Sequence, residues 1–341
     1  MTNAVSPPQD PNWLPHRYDA AGDRIHFVPV SRSQHRAATF LTDEYLPQAQ
    51  SPTVIARTTA IAAAAPPGPV HFIFHSAFCC STLLARALDR EGLAMGLSEP
   101  VILNDIIGWR HRTTVEARQV AALLEQSLNL LARPFQNGET TIIKPSNLVN
   151  VLAPAILALR PDSKALLLHA PLEAFLGSIA RKGLWGRLWV RDLYLKLLRE
   201  RLAGFGMNPN EQLALTDVQV AAVCWLAQHK LFAELVERYG QNRVRTLDSE
   251  TLMASPEAAL GRLASFYRLP ATTAALKEMA DGPAFQRHSK SGASFSAEAR
   301  NQEREAGLQA HADEIGKVLV WARELAIRNG IALNLPAPLH G

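Results

Sequence analysis

A chain of 341 residues with three cysteines can bury one large α/β core, and its cysteines are too few and too poorly spaced for a disulfide framework or a zinc site. Its formal charge of +4 and pI near 9.1 come from basic residues that read as dispersed, which suits an anionic small ligand and argues against a nucleic-acid groove. No basic-then-apolar leader opens the sequence and no apolar run of about 18 residues survives its prolines and charges, so a cytoplasmic protein without a transmembrane segment is expected.

Residues 1–67 read as an N-terminal extension. Its first 23 residues, rich in Pro, Asp, Asn and Gln, are expected to wrap loosely over the surface, and RIHFVPV (Arg24 to Val30) alternates like a short exposed strand. The Ala- and Pro-rich stretch Ala62 to Pro69 is a connector. An α/β domain follows over 68–296, and residues 297–341 form a C-terminal helix and tail packed on it. Strands are expected at 70–75, 94–98, 140–144, 164–169 and 243–247. Helices are expected near 82–91, 117–132, 148–160, 172–180, 187–203, 217–239, 256–267 and 297–328. Such alternation implies a parallel sheet with helices on both faces and ligands outside the carboxyl ends of its strands.

The most informative segment is VHFIFHSAFCCSTLLARAL (Val70 to Leu88), an apolar strand that runs through a loop of small residues into a helix. Backbone N–H groups at such a junction lack intrahelical partners and carry the positive end of the helix dipole, so phosphate or sulfate can dock there. Ser81 and Thr82 add hydroxyl donors. The simpler alternative is an ordinary turn with Ser81 as N-cap. Lys144 closes the strand TTIIK and precedes a proline, which places a cation at the carboxyl edge beside the loop. Glu99, in GLSEP, follows the strand at 94–98, and Pro100 is expected to hold it extended near the same edge. The helix from Arg187 to Leu202 carries Leu188, Trp189, Leu193, Tyr194, Leu197 and Leu198 among five basic residues. It reads as a core-packed helix with a solvated basic face, with a membrane-surface or acidic-partner role as the alternative.

Three segments in order resemble the sulfotransferase superfamily, whose members move a sulfuryl group from 3′-phosphoadenosine 5′-phosphosulfate to an acceptor hydroxyl or amine. CCSTLLARALD is similar to the family's phosphosulfate-binding loop. LLLHAPLEAFLGSIARKG (Leu166 to Gly183) is similar to the strand and helix that hold the 3′-phosphate, and Leu213 to Pro270 resembles the C-terminal block. The resemblance implies a P-loop-like architecture and a nucleotide co-substrate held by Phe78, Cys79, Cys80, Ser81 and Thr82, with no metal. It places His169 and Ser178 at the 3′-phosphate, with Arg287 and Lys290 on a late basic loop that closes over it. Lys144 would stabilise the leaving oxygen, and Glu99 would act as general base. The chain departs from the pattern at Phe78, where the family carries Lys or Arg, at Cys80, where it carries Gly, and at His169, where it carries Arg. Ser146 and Asn147 stand where some members have a catalytic histidine. An ATP-dependent kinase and a non-catalytic binder on the same fold are the rival readings, and the acceptor is not legible.

Overall fold

The computed structural model describes residues 6–47, 51–286 and 309–340. A five-stranded parallel sheet lies at its centre. Its strands are β4 (Val70–His75), β5 (Ala94–Ser98), β6 (Thr140–Lys144), β7 (Ala165–His169) and β8 (Val244–Asp248), in the spatial order β5-β6-β4-β7-β8. Three earlier strands, β1 (Trp13–Asp19), β2 (Arg24–Pro29) and β3 (Thr53–Ala56), form a separate antiparallel sheet.

Every residue of β4 and β6 is buried, as near-continuous apolar runs between covered faces should be. Phe72 and Phe74 of β4 face the helices Ile102–Arg112 and Ala117–Leu131, and Ile73 faces the helices Ser81–Leu88 and Pro256–Tyr267. Helix Ser81–Leu88 approaches β5 so closely that a Cβ on Gly96 would stand 2.8 Å from the Ala85 carbonyl oxygen. Only glycine fits there. Helices Leu172–Arg181, Gly183–Arg199, Asp217–Tyr239 and Ala312–Arg328 build a further buried cluster around Phe175, Val218 and Ala322. Helix Asp217–Tyr239 starts on a capping box between Thr216 and Gln219 and stops at Gly240, whose φ is 72°.

The N-terminal segment departs from expectation. Residues 13–19 are a strand, and β2 is the middle strand of its sheet, with Ile25 and Phe27 fully buried. The alternation in RIHFVPV was a signal of one buried face, and that face joins Leu14 in the same apolar cluster as Phe72 and Phe74 of the parallel sheet. Arg17 pins this layer to helix Ile102–Arg112 through two 2.9 Å bonds to Asp105. The helix Ile102–Arg112 itself, just after Pro100, is absent from the sequence expectations, and the C-terminal helix is described over Ala312–Arg328.

The position of β4 determines where a ligand can bind. Chain connections leave it toward β5 and β6 on one side and arrive at β7 and β8 on the other, so the carboxyl end of β4 opens at a reversal of winding.

Candidate functional site

At that carboxyl end, residues Ser76 to Cys80 link His75 to helix Ser81–Leu88. Ala77, Phe78 and Cys80 have φ of 69°, 51° and 62°, the left-handed region. A non-glycine residue there costs about 1 kcal/mol or more, so the surroundings must over-determine the loop. They do. His75 Nδ1 accepts the Ala77 N–H at 3.1 Å, which leaves the ring proton on Nε2 to be donated to the Pro145 carbonyl at 2.9 Å. Ser76 Oγ accepts the Ala170 N–H at 3.2 Å, Cys79 Sγ donates to the Leu168 carbonyl at 3.4 Å, and Asn150 donates to the His75 carbonyl at 2.9 Å.

Cys80, and not Ser81, is the N-cap, and it makes no side-chain capping bond. Ser81 and Thr82 are the first helical residues, whose N–H groups have no intrahelical acceptor and lie at the positive end of the dipole. The cap thus falls one residue before Ser81, where the simple-turn alternative had placed it. Burial, with Cys80 second, pushes the Cys79 thiol up to about 12, so Cys79 is a neutral packing group.

Lys144 and Glu99 meet at the same edge. The Lys144 side chain is fully buried, its ammonium forms an ion pair with Glu99 Oε1, and Thr82 Oγ1 accepts from it at 3.5 Å. It also lies 4.9 Å from the centre of the Phe40 ring. The expectation that Pro100 keeps Glu99 extended is corrected, because Glu99 has φ of 52°. Two gains offset the strain. The Glu99 N–H donates to the Lys144 carbonyl at 2.6 Å, and the side chain turns back onto the ammonium. The N-terminal layer clamps this turn, since Leu41 N–H donates to Ser98 O at 2.8 Å and Val101 N–H donates to Leu41 O at 3.2 Å.

His75 Nε2 stands 3.9 Å from Glu99 Oε1. A histidine therefore does approach the carboxylate, from the end of β4 and not from the positions of Ser146 and Asn147. Ser146 Oγ instead donates to Asn104 Oδ1 at 2.8 Å. Phe40 and His75 are the site neighbours that the sequence did not single out, and Lys182, a basic residue one turn beyond Ser178, reaches the loop instead of Ser178. Lys182 bears on the cation missing from the loop, for its Nζ lies 5.6 Å from the Phe78 ring centre and 5.1 Å from that of Trp185. A positive charge thus reaches the loop from the junction between two helices.

The expected 3′-phosphate residues are not brought into this cluster. Ser178 Oγ donates to the Ala174 carbonyl of its own helix at 2.8 Å. His169 Nε2 lies 3.7 Å from Asp248 Oδ2, and its ring packs edge-on against His229, which stacks on Trp225. Burial holds the His169 imidazole below its ordinary value, with Asp248 opposing, and pushes His229 well below. A neutral imidazole beside a carboxylate is a poor phosphate ligand. His169 and Asp248 instead line a cleft of about 550 Å³ with Trp225, Glu173, Arg323 and His340, and this cleft includes none of residues 76–82, Glu99 or Lys144. Arg287 and Lys290 lie outside the described residues.

No protein-family model matches this sequence, and no curated protein matches it significantly. Among solved structures, the sulfotransferase domain from the curacin biosynthetic pathway matches over 68% of this chain and 84% of its own, at 16% identity and a TM-score of 0.40. The sulfotransferase STF9 from Mycobacterium avium matches over 74% of this chain and 79% of its own, at 14% identity and a TM-score of 0.42. For STF1 from Mycobacterium tuberculosis H37Rv the shares are 65% and 73%, at 13% identity and a TM-score of 0.40. Likeness at this level assigns no residue a role.

Proposed function

We propose that this chain is a sulfotransferase-like enzyme that moves a sulfuryl group from 3′-phosphoadenosine 5′-phosphosulfate to an acceptor hydroxyl. The observation that carries this reading is the buried Lys144, held at the start of helix Ser81–Leu88 by Thr82 and Glu99. An ammonium with no solvent exposure, beside the unpartnered N–H groups of a helix start, is preorganised to face negative charge and needs little reorganisation when that charge develops. In the proposed step the sulfur–oxygen bond to the phosphate breaks as a new bond forms to the acceptor oxygen in line. Lys144 stabilises the departing phosphate oxygen, and the acceptor proton passes to Glu99. The loop N–H groups with Ser81 and Thr82 would hold the phosphosulfate, and Lys182 supplies the charge that Phe78 lacks. Asp248 and Glu173 near His169 disfavour placing the 3′-phosphate on that histidine.

Parallel calorimetric titrations with 3′-phosphoadenosine 5′-phosphate and with Mg·ATP test the reading. Binding of the bisphosphate without added metal, and weaker binding of Mg·ATP, is the expected result. Tight Mg·ATP binding with no response to the bisphosphate would overturn it in favour of a kinase.

A further inference from the structure

Helix Gly183–Arg199 is apolar on two opposite faces. Its inner face, Val190, Leu193, Tyr194 and Leu197, is buried in the helical cluster. Its outer face carries Leu184, Leu188 and Leu195, which are 72%, 59% and 59% exposed. Their i, i+4, i+11 spacing keeps them within about 40° of one another around the axis. Trp185, 58% exposed, stands at the edge of the stripe. Of the nine large apolar side chains exposed among the described residues, four are on this one helix. An ordinary surface helix turns a polar face outward, so a stripe of this kind marks a contact surface.

The charge around it identifies the partner. Residues 181–201 hold seven basic residues against Asp192 and Glu200, a net +5 that exceeds the +4 of the entire chain. The positive excess that reads as dispersed along the sequence is concentrated here. Among the described residues Asp217 and Glu314 engage Arg187 and Arg191, and the balance stays positive after these two acids are counted. A second copy docked isologously would bring like charge onto like charge, which disfavours self-association. The outer face is a stripe of exposed leucines with a tryptophan at its margin and arginines and lysines along the helix, the chemistry of a helix lying in the headgroup region of a bilayer. We infer that this face docks on an anionic lipid surface. The helix is tied to the candidate site, because Trp189 packs edge-on against Phe78 at 5.2 Å and Trp185 stacks on Trp189 at 6.4 Å. Docking would set the loop beside the membrane surface, and it stands whether or not the sulfuryl-transfer reading holds.

The test is flotation of the purified full chain with vesicles of phosphatidylcholine alone and of phosphatidylcholine mixed with phosphatidylglycerol. Binding to the mixed vesicles at least about tenfold tighter than to neutral ones, weakened by salt, is the expected result. The variant Leu188→Asp/Leu195→Asp should lose about tenfold or more of that binding. Ile327→Asp, at a residue 78% exposed on another helix, should bind like the parent. Circular dichroism checks the fold, and Leu184→Asp alone serves if the double variant does not fold. Absent binding to anionic vesicles, or equal losses in the Leu and Ile327 variants, would overturn the inference. So would a parent dimer that the leucine variants dissociate and that ignores vesicles.

Discussion

Replacing Glu99 by Gln removes the carboxylate paired with a fully buried ammonium, and the structure indicates how much that costs. Stranding one charge of a buried pair typically costs about 3 to 5 kcal/mol. Thr82 Oγ1, the Phe40 ring and the retained amide oxygen of Gln soften the loss, so about 2 to 3 kcal/mol is expected for Glu99→Gln. Lys144→Met leaves a Glu99 side chain that is 20% exposed and can recruit water, so its cost is smaller, about 1 to 2 kcal/mol. The double variant strands no charge and should lie within about 1 kcal/mol of the parent. The singles therefore should not add, and urea unfolding followed by circular dichroism closes the cycle with a coupling of about 2 kcal/mol or more. Binding separates the two roles. Lys144→Met should weaken affinity for 3′-phosphoadenosine 5′-phosphate by roughly 10²-fold, while Glu99→Gln, facing the acceptor, should leave it within a few-fold. Single variants that add within about 0.5 kcal/mol would refute the coupled pair, and equal affinities in both would refute the division of labour.

Ser81→Ala with Thr82→Ala should abolish bisphosphate binding and cost about 1 kcal/mol of stability, the scale of the one hydrogen bond lost between Lys144 and Thr82 Oγ1; calorimetry and thermal unfolding check the two halves. Cys80→Gly should stabilise by about 0.5 to 1 kcal/mol, since relief of a left-handed cysteine outweighs the entropy of an added glycine, and a loss of stability would contradict the loop geometry. Burial first, then Arg32 and Arg133, holds His35 down to about 4, and both its ring nitrogens lack partners. Its folded value is below its unfolded one, so its contribution is fully present above about pH 6.5 and is lost as pH falls toward 4. His35→Phe should accordingly flatten stability over that window, recovering about 2 kcal/mol at pH 5 in unfolding experiments.

The parallel core was legible because its strands are short unbroken apolar runs and its helices carry their own caps, as at Thr216 and Gly240. β1 was not, since WLPHRYD carries Pro15 and charged residues, and its pairing with β2 shifts register between Pro15 and Arg17. Lys144 and Glu99 could be placed because each follows from where a strand ends. The left-handed turn at Glu99 could not, because the extended preference before proline yields there to an ion pair and to backbone bonds from Leu41, 58 residues away in sequence. Phe40 reaches the site through tertiary packing alone, without a local pattern to announce it, and Lys182, which the sequence offers beside Arg181 one turn beyond Ser178, comes to Phe78 instead. His169 shows the opposite failure: its place at the end of β7 was correct, and its partners, Asp248 and His229, come from elements whose approach only the fold determines.

Amide hydrogen exchange across the loop tests the central claim most directly. Adding 3′-phosphoadenosine 5′-phosphate to the parent should slow exchange in peptides spanning residues 76–84, where the helix-start N–H groups would hold the phosphate, and this protection should vanish in Lys144→Met. Bisphosphate binding that leaves those amides unchanged and protects only the cleft around His169 and Asp248 would show that the anion site lies elsewhere.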